Sequence, residues 1–150
     1  MRLLEQAGIA FRTKEYAWNE DDLSGVHAAE ALGLPAEQVF KTLVTRAASG
    51  GIYVFCIPVA EELELKKAAR AVREKSLTMV HVKELLPLTG YIRGGCSPVG
   101  MKKKSPTVLD ETAILFDEIA VSAGRRGAQL LLSPAALADY VGAELADVTV

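Results

Sequence analysis

The segment TGYIRGGCSPVGMKKKSP, residues 89–106, interrupts an otherwise apolar chain with four glycines, two prolines and three consecutive lysines. Glycine lacks a Cβ atom, so its backbone can adopt a positive φ or lie directly against a ligand. Proline fixes φ and removes a hydrogen-bond donor, so this segment is neither a regular helix nor a central strand. Irregular loops often carry binding or catalytic groups. The residues fit either a functional loop or a hairpin with a Gly-rich bulge, and we refer to them as the glycine loop.

Length and composition predict one globular domain, residues 1–150. Half of the residues are hydrophobic, which excludes disorder as a description of the whole chain. With 17 basic and 19 acidic residues the net charge is −2, so there is no overall attraction to nucleic acid. A polyanionic partner would therefore have to be bound by a local cluster of basic residues.

Targeting signals are lacking in the sequence. No apolar run approaches the roughly 20 residues that span a bilayer, and the N-terminal MRLLEQAGIAF has no signal-peptide core or cleavage site. Two cysteines make no disulfide framework. We therefore expect a cytoplasmic protein with no membrane partner.

The pattern of apolar residues, caps and turns predicts strands interleaved with helices of uneven length, which is typical of an α+β fold with a mixed sheet. The AGRRG turn, residues 123–127, and the loop at 47–51 each predict a hairpin between the flanking strands. The predicted helices are 2–8, 25–33, 61–73, 81–88 and 134–140, and the predicted strands are 9–16, 39–46, 52–59, 77–80, 107–110, 119–122 and 128–132.

Cysteine and histidine do not suggest a metal site. Cys56 and Cys96 are 40 residues apart, and His27 and His81 lie in no metal-binding spacing, so we predict neither a metal nor a cofactor. Cys56 lies in the apolar strand IYVFCIPV and is expected in the core. Cys96 lies in the glycine loop, where it could act as a nucleophile with one histidine as its base.

The glycine loop and a lysine offer other chemistry. GGCSPVG lacks the ending of a P-loop and is not a dinucleotide-binding fingerprint. Its successive glycine amides could surround an oxyanion, a carboxylate or a phosphate. The lysines at 102–104 fit either a solvated face or a phosphate-binding cluster. Lys41 is a single charge in the apolar strand VFKTLV, and either reaches solvent or points into a pocket.

Four segments of the chain resemble the YbaK/EbsC family, whose members are free-standing relatives of the editing domain inserted in bacterial prolyl-tRNA synthetases. In chain order they are VFKTLV, LELKKAARA, TGYIRGGCSPVGMKKKSPT and VSAGRRG. The resemblance runs from about residue 11 to residue 137. It implies an α+β fold with a mixed, partly barrel-like β-sheet, flanking helices and an open pocket for the 3′ end of an aminoacyl-tRNA. It also implies hydrolytic clearance of mischarged tRNA, above all cysteine on proline tRNA, and recruitment by prolyl-tRNA synthetase.

The resemblance also assigns roles to residues. The family's essential lysine corresponds to Lys41, which would anchor the terminal adenosine or the ester oxygens, while Gly94 and Gly95 would donate backbone N–H groups around the reacting carbonyl. In relatives, the position of Gln129 is often occupied by an acidic residue. The position of Cys96 is often aliphatic, which favours a spectator role for this cysteine. The expected substrate-binding residues are Tyr16, Thr42, Ser97, Pro98, Gly100 and Gln129, and the expected tRNA-binding residues are Lys102, Lys103, Lys104, Arg125 and Arg126.

The chain offers no convincing nucleophile of its own, and the family resemblance implies a reason. In the cysteinyl case the thiol of the substrate attacks its own ester carbonyl and gives a thiolactone and free tRNA, so the protein only positions the ester and stabilises charge. Three alternatives stay open: a deacylase for another amino acid, such as alanine or a non-protein amino acid, a non-catalytic module that binds a tRNA end, and a cysteine hydrolase for a small molecule.

Overall fold

The computed structural model describes residues 2–102 and 104–150, in which strands and helices alternate along the chain. No helix in this described part is long and apolar enough to cross a membrane. Two 3-10 helices lie at Ala36–Gln38 and Glu111–Leu115. The remaining elements are α1 (Arg2–Gln6), β1 (Phe11–Glu15), α2 (Gly25–Leu32), β2 (Phe40–Ala47), β3 (Ile52–Pro58), α3 (Leu65–Ala71), β4 (Leu77–Met79), α4 (Val82–Thr89), β5 (Thr107–Asp110), β6 (Ile119–Ser122), β7 (Ala128–Leu132), α5 (Pro134–Val141) and β8 (Glu144–Ala146).

The strands form two sheets, and the fold is α+β with a mixed sheet, as the sequence predicts. A small antiparallel sheet has the order β1-β7-β6, and a large sheet has the order β4-β2-β3-β5-β8. In the large sheet β2 pairs antiparallel with β3 and β4, whereas β3–β5 and β5–β8 are parallel. Both predicted hairpins, β2–β3 and β6–β7, are confirmed. A bridge between Val39 and Ala120 joins the sheets, which do not close into a barrel.

The core has its largest cluster between the two sheets. Phe40 from β2 packs there with Ile119 and Leu130 from the small sheet and with Leu137 from α5. A second cluster lies between the large sheet and α3, where Phe55 and Ile57 are among the buried side chains. Burying each such side chain stabilises the folded state by about 1.5 to 3 kcal/mol. These clusters therefore hold the two sheets together and fix the ends of the loops between them.

The C-terminal segment differs from the sequence prediction. Strand β8 was not predicted, and α3 begins at Leu65 instead of residue 61. Residues 62–64 do not join the helix because they pair with the C-terminus: the Glu64 N–H donates to Val148 O at 2.8 Å, and the Val150 N–H donates to Glu62 O at 3.0 Å. Pairing between residues so far apart in sequence leaves no local periodicity that would predict it.

A buried carboxylate fastens this segment to the large sheet. Asp110, at the end of β5, is 1% exposed. Its Oδ1 accepts a hydrogen bond from the Val148 N–H at 3.2 Å, and its Oδ2 accepts bonds from the N–H and the hydroxyl of Thr112 at 3.3 and 2.6 Å. Removing the carboxylate would leave three buried or half-buried donors without this partner.

We expect Asp110→Ala to lower the free energy of unfolding by about 2 to 3 kcal/mol, because hydrogen bonds to a charged group are lost and the Val148 N–H is left unsatisfied. Urea denaturation followed by circular dichroism measures this. The matched control is Asp147→Ala, which removes only an exposed ion pair with Lys67 and should cost about 0 to 1 kcal/mol. Equal losses in the two variants would contradict the structural role of Asp110.

Candidate functional site

An open cleft of about 540 Å³ lies between β2, the start of α2, α4, the glycine loop and the small sheet. We call it the main cleft. Its volume lies within the range of about 300 to 1,000 Å³ that is usual for small-molecule sites. Five residues selected from the sequence line it together: Tyr16, Lys41, Thr42, Gly94 and Gln129. They come from four separate parts of the chain, so the fold, and not sequence proximity, assembles them.

Lys41 points into the main cleft. It lies on β2 opposite Ile57, is half-buried, and its Nζ donates to Val59 O at 3.3 Å. Burial lowers the pKa of the Lys41 ammonium below its ordinary value, and the negative charges of Glu62 and Glu61 only partly offset this effect. The sequence left open whether Lys41 reaches solvent or points into a pocket, and in the structure its side chain lines a pocket.

The two glycines of the glycine loop have different surroundings. Gly94 has φ +84° and lines the main cleft, so it presents backbone to a ligand where another residue would be strained. Gly95 is buried, and its N–H already donates to Ile92 O at 2.9 Å. A Cβ added at Gly95 would lie 3.3 Å from Arg125 Cα, so this glycine allows the loop to approach the AGRRG turn. Of the two glycines, Gly94 is thus the one that borders the main cleft.

Ser97, Pro98 and Gly100 lie outside the residues that line the main cleft. Ser97 and Pro98 are buried, and the Ser97 hydroxyl accepts a hydrogen bond from the Val99 N–H at 3.2 Å. Gly100 has φ +76°, and a Cβ there would lie 3.1 Å from the Tyr91 hydroxyl oxygen. Their surroundings support a role in shaping the glycine loop, in contrast to the substrate contacts expected from sequence.

Neither thiol has the surroundings of an activated nucleophile. Cys96 lines the main cleft, but burial raises the pKa of its thiol, and its Sγ donates to Ile92 O at 3.7 Å. Burial raises the pKa of the Cys56 thiol to about 12, in keeping with the expected core position. The histidines are engaged elsewhere: His27 Nδ1 is 3.8 Å from Asp22 Oδ2, and His81 Nδ1 accepts from the Lys83 N–H.

Gln129 lines the main cleft and carries a buried acceptor that has no partner among the described residues. It lies on β7, the central strand of the small sheet, and is 6% exposed. Within the described part of the chain its Oε1 has no hydrogen-bond partner. A buried amide oxygen without a partner costs about 1 to 3 kcal/mol, so such a group in a cleft wall is suited to a ligand that donates a hydrogen bond.

Three further charged residues, which sequence reasoning did not select, line the main cleft: Asp21, Asp22 and Arg93. The pKa of Asp22 lies below its ordinary value, mainly because its side chain accepts hydrogen bonds from Ser24. The sequence identifies residues 19–24 as an acidic turn, but only the fold shows that this turn borders the cleft.

A second concavity of about 430 Å³, which we call the side hollow, adjoins the main cleft. Tyr16 lines both. Arg125 and Arg126 line the side hollow, where Arg125 forms an ion pair with Glu15 at 2.7 Å. Lys102 and Lys104 are exposed and line neither concavity, and Lys103 lies outside the described residues. The residues predicted to contact tRNA therefore fall into two groups: the two arginines, which line the side hollow, and the lysines, which lie outside both concavities.

Comparison with known proteins points to one family. Residues 23–140 match the model of the aminoacyl-tRNA editing domain. Over 149 residues, 99% of this chain and 91% of the relative, the chain is 46% identical to EbsC of Enterococcus faecalis, a proposed Cys-tRNA(Pro)/Cys-tRNA(Cys) deacylase. Over 100 residues, 67% of this chain, it is 32% identical to a segment comprising 17% of a proline–tRNA ligase of Shouchella clausii.

A solved structure supports the same conclusion about the fold. It is described as that of a proposed trans-editing enzyme for prolyl-tRNA synthetase, and it matches this chain with a TM-score of 0.85 at 30% sequence identity. The match covers 98% of this chain and 92% of the other.

We expect Gln129→Met to raise the free energy of unfolding by about 1 kcal/mol, because it replaces an unsatisfied buried amide with an apolar side chain of similar length. Urea denaturation of the free protein measures this. The matched control is Gln38→Met, which should be destabilising, since Gln38 Nε2 donates to Glu118 O at 2.8 Å. A Gln129→Met protein as unstable as the Gln38 variant would mean that Gln129 is already satisfied.

Proposed function

Because the chain belongs to the aminoacyl-tRNA editing domain family, we propose that it is a single-domain, trans-acting deacylase that clears mischarged tRNA, principally Cys-tRNA(Pro). The observation that carries the proposal is the main cleft, in which Lys41 from β2, Gly94 from the glycine loop and Gln129 from β7 face one space. Cleavage of an aminoacyl ester needs an anchor, a group that stabilises the oxyanion and a group that recognises the amino acid. The half-buried cation of Lys41, the exposed main-chain amide of Gly94 and the unpaired acceptor of Gln129 match these three roles.

The proposed reaction uses the thiol of the cysteinyl substrate as the nucleophile. The thiolate attacks the ester carbonyl carbon, and negative charge develops on the carbonyl oxygen. The bond from this carbon to the ribose oxygen then breaks, the ribose oxygen takes up the proton that the thiol released, and the products are a thiolactone and free tRNA. The enzyme contributes position and charge stabilisation, and the raised thiol pKa of Cys96 is consistent with a protein that supplies no nucleophile.

Lys41 and Gly94 share the electrostatic part of this mechanism. The Lys41 ammonium contacts the oxygens of the terminal adenosine or of the ester, and the burial that lowers its pKa also strengthens its interaction with developing negative charge. The Gly94 N–H donates to the carbonyl oxygen. Gly95, whose N–H is bonded within the loop, supports this geometry through its packing against the AGRRG turn.

Gln129 recognises the amino-acid end of the substrate. Its unpaired Oε1 accepts a hydrogen bond from the α-amino group, while Tyr16 and Thr42 line the same space. The Gln129→Met protein described above tests this assignment directly. If that variant cleaved Cys-tRNA(Pro) with an unchanged KM, Gln129 would not contact the amino acid.

The tRNA body is bound by the basic residues near the clefts. Arg125 and Arg126 contact the backbone near the 3′ end, and Lys102 and Lys104 contact phosphates further along, which makes binding dependent on salt. With a net charge of −2 the free protein binds tRNA weakly, so recruitment by prolyl-tRNA synthetase in the cytoplasm supplies specificity. The similarity to part of a proline–tRNA ligase is consistent with this partner.

Replacing Lys41 tests the electrostatic part. We expect Lys41→Ala and Lys41→Met to lower kcat/KM for Cys-tRNA(Pro) by about 10²- to 10³-fold, because a charge-stabilising group is removed while the apolar strand is kept. Release of labelled cysteine measures the rate, and circular dichroism checks the fold. Lys83→Ala, an exposed position on α4, is the matched control. Full activity in both Lys41 variants would rule out the role proposed for this lysine.

A substrate panel tests the source of the nucleophile. On tRNA(Pro) charged with cysteine, serine or alanine, we expect fast release of cysteine alone, because only cysteine carries an internal thiol. Cys96→Ser should keep most of this activity, since the reactive sulfur belongs to the substrate. An inactive but folded Cys96→Ser protein would restore the enzyme thiol as nucleophile, and equally fast release of alanine would favour a deacylase of broader or different selectivity.

A further inference from the structure

The single tryptophan of the chain is exposed next to the proposed active site. Trp18 lines the side hollow and is 46% exposed. The guanidinium carbon of Arg126 lies over its ring, 5.4 Å from the ring centroid. An exposed indole paired with an arginine is the combination on which proteins stack the bases of single-stranded nucleic acid. Neither the mechanism nor the anchoring of the terminal adenosine uses this pair.

We propose that Trp18 and Arg126 form a stacking platform for the base of the unpaired nucleotide that precedes the terminal adenosine of tRNA. The inference rests on the proposed function, because it takes the terminal adenosine to lie in the main cleft. It adds a binding site for the next nucleotide, in a concavity that the chemistry of the ester does not require.

The position of the side hollow supports this assignment. Tyr16 forms a shared wall between the main cleft and the side hollow, and Trp18 follows two residues later. On the other side, a Cβ at Gly94 would lie 3.6 Å from Arg126 Nε, so the glycine that faces the main cleft is adjacent to the arginine of the platform. A strand whose last nucleotide occupies the main cleft therefore meets the indole at the neighbouring nucleotide.

The platform is held in place before any ligand binds. Gly127 has φ +82°, and a Cβ there would lie 2.5 Å from Trp18 Cδ1, so the indole packs directly on the glycine backbone. The Gly127 carbonyl also accepts a hydrogen bond from the Tyr16 N–H at 2.9 Å. Arg126 is fixed through its Nε, which donates to Arg93 O at 2.9 Å. A preformed surface loses little conformational entropy when a base stacks on it.

The charges around the platform suit a phosphodiester. Arg126 is mostly buried and lies 3.6 Å from the exposed Glu20, and Arg125 lies 2.7 Å from Glu15 in a pair in which both side chains are exposed; ion pairs with exposed carboxylates contribute little stability. A phosphate that replaces either glutamate would gain an arginine partner at small cost. The glutamates also explain how a chain of net charge −2 can keep arginines at this position without attracting polyanions indiscriminately.

Two measurements on the full chain test the platform. Since Trp18 is the only tryptophan, the tryptophan fluorescence reports on this site alone. We expect the trinucleotide CCA to change the emission of the wild-type protein at concentrations at which adenosine monophosphate does not. Equal changes with the two ligands would overturn the proposal, because the indole would then sense only the adenosine or no nucleotide at all.

The second measurement compares a long and a short substrate. We expect Trp18→Ala to raise KM for Cys-tRNA(Pro) by about 5- to 150-fold, the usual effect of removing one stacking residue, with kcat nearly unchanged. Trp18→Phe should retain part of the affinity. Cleavage of the cysteinyl ester of adenosine, which lacks the preceding nucleotide, should be unaffected by either change. Ile114→Ala, also at an exposed apolar residue, is the control and should match the wild type.

The outcomes separate this inference from the proposed function. A Trp18→Ala protein with wild-type KM on Cys-tRNA(Pro), or with equal losses on both substrates, would overturn the platform while leaving the deacylase intact. A wild-type protein that cleaves neither substrate would overturn the proposed function itself. If Trp18→Ala fails to fold, Trp18→Phe and the fluorescence of the wild-type protein still decide the question.

Discussion

The close approach of Gly95 to the backbone of Arg125 is the contact on which the geometry of the site depends. A side chain at Gly95 would begin 3.3 Å from Arg125 Cα, closer than most Cβ contacts, so glycine lets the glycine loop lie directly on the AGRRG turn without displacing its backbone. Gly94, the preceding residue, lies beside Arg126, since a Cβ there would be 3.6 Å from Arg126 Nε. Gly94 lines the main cleft and Arg125 and Arg126 line the side hollow, so the contact joins one wall of each concavity.

The electrostatics of the main cleft follow from partial burial. Lys41 lies where the large sheet meets solvent, and burial lowers the pKa of its ammonium more than two nearby glutamates raise it. The same burial raises the pKa of the Cys96 thiol. One environment therefore keeps a cation poorly solvated, so that it interacts strongly with an anion, and keeps a thiol protonated. A site with these properties stabilises charge well and is poorly equipped to begin an attack itself.

Local patterns predicted the fold well where neighbours in sequence are neighbours in space. The hairpins β2–β3 and β6–β7 followed from apolar runs separated by short turns. The start of α2 is equally local, because the Ser24 side chain accepts a hydrogen bond from the His27 N–H only three residues on. Strand β8 was missed because its partner, β5, is parallel and distant in sequence. The first turn predicted for α3 was wrong for the same reason, since residues 62–64 pair with the C-terminus.

For the candidate site, the sequence identified some of the residues that line the main cleft but not others. A charge in an apolar strand identified Lys41, and the family resemblance identified Tyr16 and Gln129; all three line the main cleft. Within the glycine loop, however, the sequence cannot distinguish residues that face a ligand from residues that shape the backbone. Ser97 and Gly94 belong to the same motif, yet one is buried and the other borders the cleft. The sequence did not mark Trp18 as a binding residue, because a lone aromatic residue after a strand is as typical of a hydrophobic core as of a binding site.

The neutral side chain at position 129 has a consequence for the chemistry that the cleft can select. An amide does not titrate, so the contact proposed with the α-amino group would persist in acid, where a carboxylate at the same place would become protonated and lose its charge. At any pH at which that carboxylate would be charged, however, the attraction to the amide is weaker, because a dipole replaces a full charge. Discrimination among amino acids would then depend on fit within the main cleft, and small uncharged hydrogen-bond donors would compete with the substrate more easily than they could at an acidic site.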